Sequence, residues 1–170
     1  MRKVTSVILI AGLLICVAGS MTGCMRPKKN WYESALAYYS DGIKNGFTTE
    51  YSNLDVPVEL RNENIKFGYM LYDLDGDGTN ELLIGMIDEG DYTKFTNVIA
   101  YHRGLGPDCL LTGSQGYYVY LCASGVLRYD SWLGSETQKD YMKFNSNDLS
   151  FTLIDGEGKY LPMKWELTEF

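Results

Sequence analysis

Hydrophobic residues recur at intervals of three and four positions along residues 30–44, which predicts a helix with one apolar face. Asn30 is suited to cap the start of this helix, and Asn45 with Gly46 is suited to close it. An apolar stripe of this kind is typical of a helix that covers a sheet. The residues on the stripe are Trp31, Ala35, Tyr38 or Tyr39, and Gly42 or Ile43.

The hydrophobic period changes from Lys66 onward, where short apolar or alternating segments are separated by segments rich in Gly, Ser, Asn and Asp. Such closely spaced strands predict an antiparallel meander, and the chain lacks an alternating βαβ pattern. We therefore expect one α+β domain over residues 31–170, in which the N-terminal helix packs on the meander. The predicted strands are residues 67–73, 82–87, 95–102, 117–122, 126–132, 139–145, 149–154 and 160–167.

The first residues have the pattern of a secretory signal. Arg2 and Lys3 precede an apolar run over residues 4–18, and small residues stand just before Cys24. The run is short for a bilayer span, which needs about 20 residues, so a signal peptide over residues 1–23 is favoured over a transmembrane anchor.

The sequence Met-Thr-Gly-Cys that ends this segment resembles the lipobox of bacterial lipoproteins. The resemblance implies that Cys24 carries lipid and becomes the first mature residue. Residues 24–30 would then be a tether, and the folded domain would lie outside the cytoplasm, anchored to the bacterial cell membrane.

The net charge limits the class of partner that the chain can bind, and the cysteine content limits the disulfides that it can form. The chain has a net charge of −7, and its Lys and Arg residues are scattered, so nucleic acid is an unsuitable partner. Cys109 and Cys122 remain once Cys16 and Cys24 are set aside. They flank a predicted hairpin at residues 113–116, and we favour two buried free thiols over a cross-strand disulfide.

The strongest chemical signal is the sequence D-x-D-G-D-G-x-x-E at residues 73–81, which we call the acidic loop. Carboxylates this close repel each other unless a hard cation binds them, and Ca²⁺ accepts six to eight oxygen ligands. Gly78 stands where the loop must turn sharply. The alternative is an acidic turn without metal. The predicted Ca²⁺ ligands are Asp73, Asp75, Asp77, the carbonyl of Thr79, and Glu81.

The start of the acidic loop resembles an EF-hand, but Ile84 stands where that family has its last glutamate. The loop is more similar to the strand-loop-strand calcium loops of FG-GAP and integrin-type propeller blades, which implies that Glu81 closes the site. The lipobox, the aromatic helix, this single loop and the tyrosine-rich meander together resemble small bacterial lipoproteins.

Support for catalysis is thin, because His102 is the only histidine and no nucleophile motif is present. The chain has 14 tyrosines, several of them in the meander, where exposed rings can stack on sugars or pack against a protein. Ordinary amphipathic strands are the plainer explanation. We expect a surface binding module with a glycan or protein partner; the alternative is a calcium-stabilised enzyme acting on glycan or cell wall.

Overall fold

The computed structural model describes residues 31–87 and 90–170. The predicted signal peptide, the lipid on Cys24 and the Asn30 cap fall on residues 1–30, outside the described part. No helix within the described ranges is long and apolar enough to cross a membrane.

The predicted helix is present as α1, Glu33–Asn45. Ala35 and Tyr39 on its apolar face are buried, and Gly46 ends it with a φ of 84° and an N–H bond to the carbonyl of Gly42. Glycine adopts this left-handed conformation without the steric cost that a side chain imposes, so the predicted closure is confirmed.

Nine strands follow the helix: β1 Phe67–Tyr72, β2 Glu81–Met86, β3 Phe95–His102, β4 Gly106–Thr112, β5 Tyr117–Leu121, β6 Leu127–Leu133, β7 Glu136–Asn145, β8 Ser150–Ile154 and β9 Thr168–Glu169. They form one antiparallel sheet with the spatial order β8-β7-β6-β5-β3-β2-β1-β9. The remaining strand, β4, pairs with β3, on the edge of β3 where Phe95 also pairs with β5. Within the described residues the domain is thus mostly antiparallel sheet with one α-helix, in agreement with the α+β prediction.

Two hydrophobic clusters lie on the two faces of this sheet. Leu82 and Ile84 of β2 join the cluster beneath α1, whereas Leu83 joins the cluster that β5, β6 and β7 cover. Strand β2 is buried on both faces, which explains its unbroken apolar sequence. Each such side chain contributes about 1.5–3 kcal/mol when it leaves water.

Two sequence predictions about the strands were wrong. Residues 160–167 form no strand. They make an isolated bridge between Pro162 and Cys122 and single backbone hydrogen bonds at Met163, and Pro162 has no N–H to donate to a ladder. Strand β4 was not predicted, since its Gly-Pro start reads as a turn, and it pairs with β3 over residues 97–102.

The two remaining cysteines are free thiols in different parts of the sheet. Cys109 lies on β4 opposite Ile99 of β3, whereas Cys122 follows β5 and donates its N–H to the carbonyl of Val126. Of the predicted hairpin between them only a tight turn is formed, closed by a bridge between Ser114 and Tyr117. The flanking strands pair elsewhere, β4 with β3 and β5 with β6.

Candidate metal centre

The acidic loop connects β1 to β2, whose last pair is Tyr72 with Glu81. Gly76 and Gly78 have φ angles of 79° and 85°, and their N–H groups bond the two carboxylate oxygens of Asp73 at 2.8 and 2.7 Å. Two left-handed glycines fold the loop back over the first aspartate. The two glycines of the sequence motif are therefore the residues that allow the loop to turn.

Three carboxyl groups of this loop converge. One oxygen from each of Asp73, Asp75 and Glu81 lies within 4.8 Å of the other two. Asp77 is not one of the three: its oxygens accept bonds from the N–H of Thr79 and the hydroxyl of Ser146. The convergence supports three of the predicted ligands, while the roles of Asp77 and the Thr79 carbonyl stay predictions.

Glu81 is the buried member of this group, with an exposed fraction of 2%. Its Oε2 accepts the N–H of Leu74 at 2.9 Å. Burial, followed by the charges of Asp75, Asp77 and Asp73, raises the pKa of Glu81 to about 7, while the Leu74 bond acts in the opposite direction. A cation among these oxygens would relieve the repulsion that these charges impose.

A turn that is distant in sequence makes hydrogen bonds to the acidic loop. Ser146, between β7 and β8, donates its N–H to Oδ2 of Asp75 at 2.8 Å and its hydroxyl to Oδ2 of Asp77 at 3.0 Å. Burial acts to raise the pKa of Asp75, but the bonds from Ser146 and from the backbone of Asp77 outweigh it and lower that pKa. These hydrogen bonds favour the ionised form of Asp75.

Two further contacts fix the loop backbone. Gly125 packs against the carbonyl of Leu74 so closely that a Cβ atom would collide with it. The hydroxyl of Tyr32, just before α1, bonds the carbonyl of Asn80 at 3.0 Å. The loop is thus held by three segments that are remote from it in sequence.

Comparison of the chain with protein families, with curated proteins and with solved structures gives no match. The chemistry of the site is therefore argued from its own atoms. The converging side-chain ligands are all carboxylate oxygens, a set that suits hard cations such as Ca²⁺, Mg²⁺ or Mn²⁺ better than metals that prefer sulfur or imidazole.

The other candidate residues lie elsewhere. His102, the only histidine of the sequence, is exposed at the end of β3. A second acidic turn follows β8, where Asp155 is exposed and pairs with Lys159. The contribution of Ser146 was missed by the sequence analysis. It stands in a plain Asn-Ser-Asn-Asp turn with no metal-binding pattern, so only the packing of the sheet reveals it.

Proposed function

We propose that this protein is a lipid-anchored extracytoplasmic binding module whose fold is stabilised by Ca²⁺ at the acidic loop. The observation that carries the metal assignment is the convergence of Asp73, Asp75 and Glu81 within 4.8 Å, with Ser146 holding the loop from outside. This arrangement orders the loop while leaving closely spaced carboxylates to be neutralised.

Ca²⁺ suits this loop better than the other hard cations. It accepts carboxylate and carbonyl oxygens in flexible geometry, whereas Mg²⁺ demands a near-ideal octahedron and keeps several waters. Asp73, Asp75 and Glu81 would hold the ion, and Asp77 and the Thr79 carbonyl would complete its ligands. Bound Ca²⁺ supplies charge neutralisation, and the chain supplies the positions of the oxygens.

The location is proposed from the sequence. The basic start, the short apolar run and Met-Thr-Gly before Cys24 support lipidation there and a tether to the bacterial membrane. A site of this class outside the cell binds Ca²⁺ with a Kd of about 10⁻⁴–10⁻³ M, which matches calcium concentrations outside the cytoplasm.

In the cleft beside Tyr118, Tyr120 and Trp132, the composition favours binding over glycan hydrolysis. Glycosidases generally use two carboxyl groups that flank the scissile bond. The cleft beside Tyr118, Tyr120 and Trp132 is lined by a single carboxyl-bearing residue, Asp130, among the residues described. Its aromatic side chains suit recognition of a ligand.

The metal assignment is tested by thermal unfolding of the full chain in detergent, titrated with Ca²⁺, with Mg²⁺ and with a calcium chelator. At tenfold excess over Kd, Ca²⁺ should add roughly 1.4 kcal/mol to the free energy of unfolding. Asp75→Ala should abolish most of this gain. Asp155→Ala is the matched control and should retain it, because Asp155 lies outside the loop. Equal melting temperatures with Ca²⁺ and chelator would refute the assignment.

A further inference from the structure

Strands β5, β6 and β7 have an outer face, opposite to the face that packs in the core. One end of this outer face is buried around Tyr141 and Cys122, and the other end, near Trp132, is exposed. Val119, Leu121 and Leu127 point to the core and are fully buried. Because side chains alternate along a strand, Tyr118 and Tyr120 point to the other face. Their register partners on β6 are Asp130 and Arg128, so these two side chains share that face.

This outer face forms a cleft of about 490 Å³, within the range of roughly 300–1,000 Å³ that small-molecule sites occupy. Trp132 stands at its rim with 65% of its surface exposed, although tryptophan is highly buried on average in folded proteins. We call this region the aromatic cleft, and its defining residues are Gln115, Tyr118, Tyr120, Asp130, Trp132 and Thr137.

Asp130, which lines the aromatic cleft, is paired with Arg128 of the same strand, which is not among the lining residues. Arg128 donates from Nη2 to Oδ2 of Asp130 at 2.8 Å, and its Nε lies 2.8 Å from Oδ1 in an ion pair too poorly aligned to be a hydrogen bond. The guanidinium also lies 4.7 Å from the ring centre of Tyr120. Both charged side chains are therefore held in fixed positions, with only 11% of each exposed.

Asp130 has hydrogen-bonding capacity beyond its contacts with Arg128. A carboxylate offers about four lone-pair sites, and the contacts with Arg128 use only part of them. A hydroxyl group in the cleft can therefore donate a hydrogen bond to Asp130.

We infer that the aromatic cleft binds a neutral saccharide unit of a polysaccharide. The C–H face of a sugar ring is apolar and would stack on Trp132, while neighbouring hydroxyls at its edge would bond to Asp130 and to the amide of Gln115. The net charge of −7 disfavours acidic ligands.

This inference names the ligand of the proposed binding module and rests on that function, but it does not depend on Ca²⁺. The acidic loop contacts the β7–β8 turn through Ser146, whereas the aromatic cleft lies on β5, β6 and the start of β7. The two sites can therefore be tested separately.

The test is calorimetric titration of the full chain in detergent with neutral hexasaccharides: cellohexaose, maltohexaose, xylohexaose, mannohexaose and chitohexaose. At least one should bind, and Trp132→Ala should weaken that binding by at least about tenfold. Trp132→Phe, which keeps an aromatic ring, should restore part of the affinity.

Tyr117→Ala is the matched control, because Tyr117 precedes Tyr118 on the same strand, is 42% exposed and points to the opposite face. It should leave saccharide affinity unchanged. The inference is overturned if no hexasaccharide binds at concentrations up to about 10 mM, or if Trp132→Ala and Tyr117→Ala weaken binding equally. If the wild-type chain binds no hexasaccharide but is still stabilised by Ca²⁺, this inference is refuted and the metal assignment stands.

Discussion

Ser146 donates its backbone N–H to Oδ2 of Asp75 at 2.8 Å, although 71 residues separate them in the chain. The same serine reaches Asp77 through its hydroxyl. These bonds join the acidic loop between β1 and β2 to the turn between β7 and β8. A cation in the loop would therefore stabilise contacts between distant parts of the sheet.

Removal of the Ser146 hydroxyl tests this connection. Ser146→Ala deletes the bond to Asp77 but keeps the N–H that Asp75 accepts, so the free energy of unfolding should fall by about 0.5–1 kcal/mol. The control is Ser150→Ala, which removes a bond to Asp148 without touching the loop. Chemical denaturation with and without Ca²⁺ measures both variants. Ser150→Ala should leave the stabilisation by Ca²⁺ unchanged. The connection is disproved if Ser146→Ala has the same free energy of unfolding as the wild type, both with and without Ca²⁺.

Gly125 should tolerate no side chain. In Gly125→Ala the new Cβ would collide with the carbonyl of Leu74 while φ stays at 71°, so we expect a loss of about 2–4 kcal/mol. Gly158→Ala has a similar φ of 69° with nothing near the new atom, and should cost only about 1 kcal/mol. Chemical denaturation measures the loss of unfolding free energy in the two variants. Equal losses would show that the close approach of Gly125 to Leu74 adds nothing to the cost of the substitution.

Burial of Cys122 predicts a loss of stability at alkaline pH. Its environment raises the pKa of the thiol from 9.0 to about 11, chiefly through burial. Below pH 9 the thiol is protonated in both states and its contribution is fully present. As pH rises towards 11 the unfolded thiol ionises first, so stability is lost, by at most about 3 kcal/mol.

Cys122→Ala should therefore flatten the fall in unfolding free energy between pH 9 and 11 relative to the wild type. Tyrosine ionisation affects both proteins and cancels in the comparison. The two curves should run parallel at neutral pH, and parallel curves at alkaline pH as well would contradict the assignment.

Lipid on Cys24 is predicted from the lipobox resemblance. Cys24→Ala should leave the precursor uncleaved at that site or release it without lipid, since the acyl chains, whose buried methylenes each contribute about 0.8 kcal/mol to anchoring, can no longer be attached. Mass spectrometry of the wild-type N-terminal peptide identifies the modification. An unmodified peptide beginning at another residue would disprove it.

The sequence predicted those elements whose burial is regular. Helix α1 shows its apolar stripe directly, and β3 has the predicted bounds because its flanks are rich in turn-forming residues. Strand β4 escaped prediction because Gly106 and Pro107 at its start suggest a turn, and only its pairing with β3 makes it a strand. The apolar residues around Trp165 led to the wrong prediction of a strand over residues 160–167. The indole N–H of Trp165 donates to the carbonyl of Leu121, so this segment packs on the sheet without pairing as a strand.

The acidic loop was predictable because its ligands lie within nine consecutive residues, and its glycines set their conformation locally. Ser146 and Gly125 were not, because their roles depend on which strands meet in space. The aromatic cleft was predictable in part. The alternation of side chains along β5 predicts that Tyr118 and Tyr120 share one face. That Asp130 and Arg128 lie beside them could not be predicted, because it depends on the register of β5 with β6.

The pairing of β1 with β9 has a consequence for the order of folding. β9 holds Gly68 and Tyr69 through Glu169 and Thr168, and Phe170 donates its N–H to the carbonyl of Phe67. The outer edge of the first strand therefore stays without these partners until the final segment arrives. Such long-range closure slows folding, and an unpaired edge can recruit another chain. Intermediates that lack β9 should thus be the species most prone to self-association.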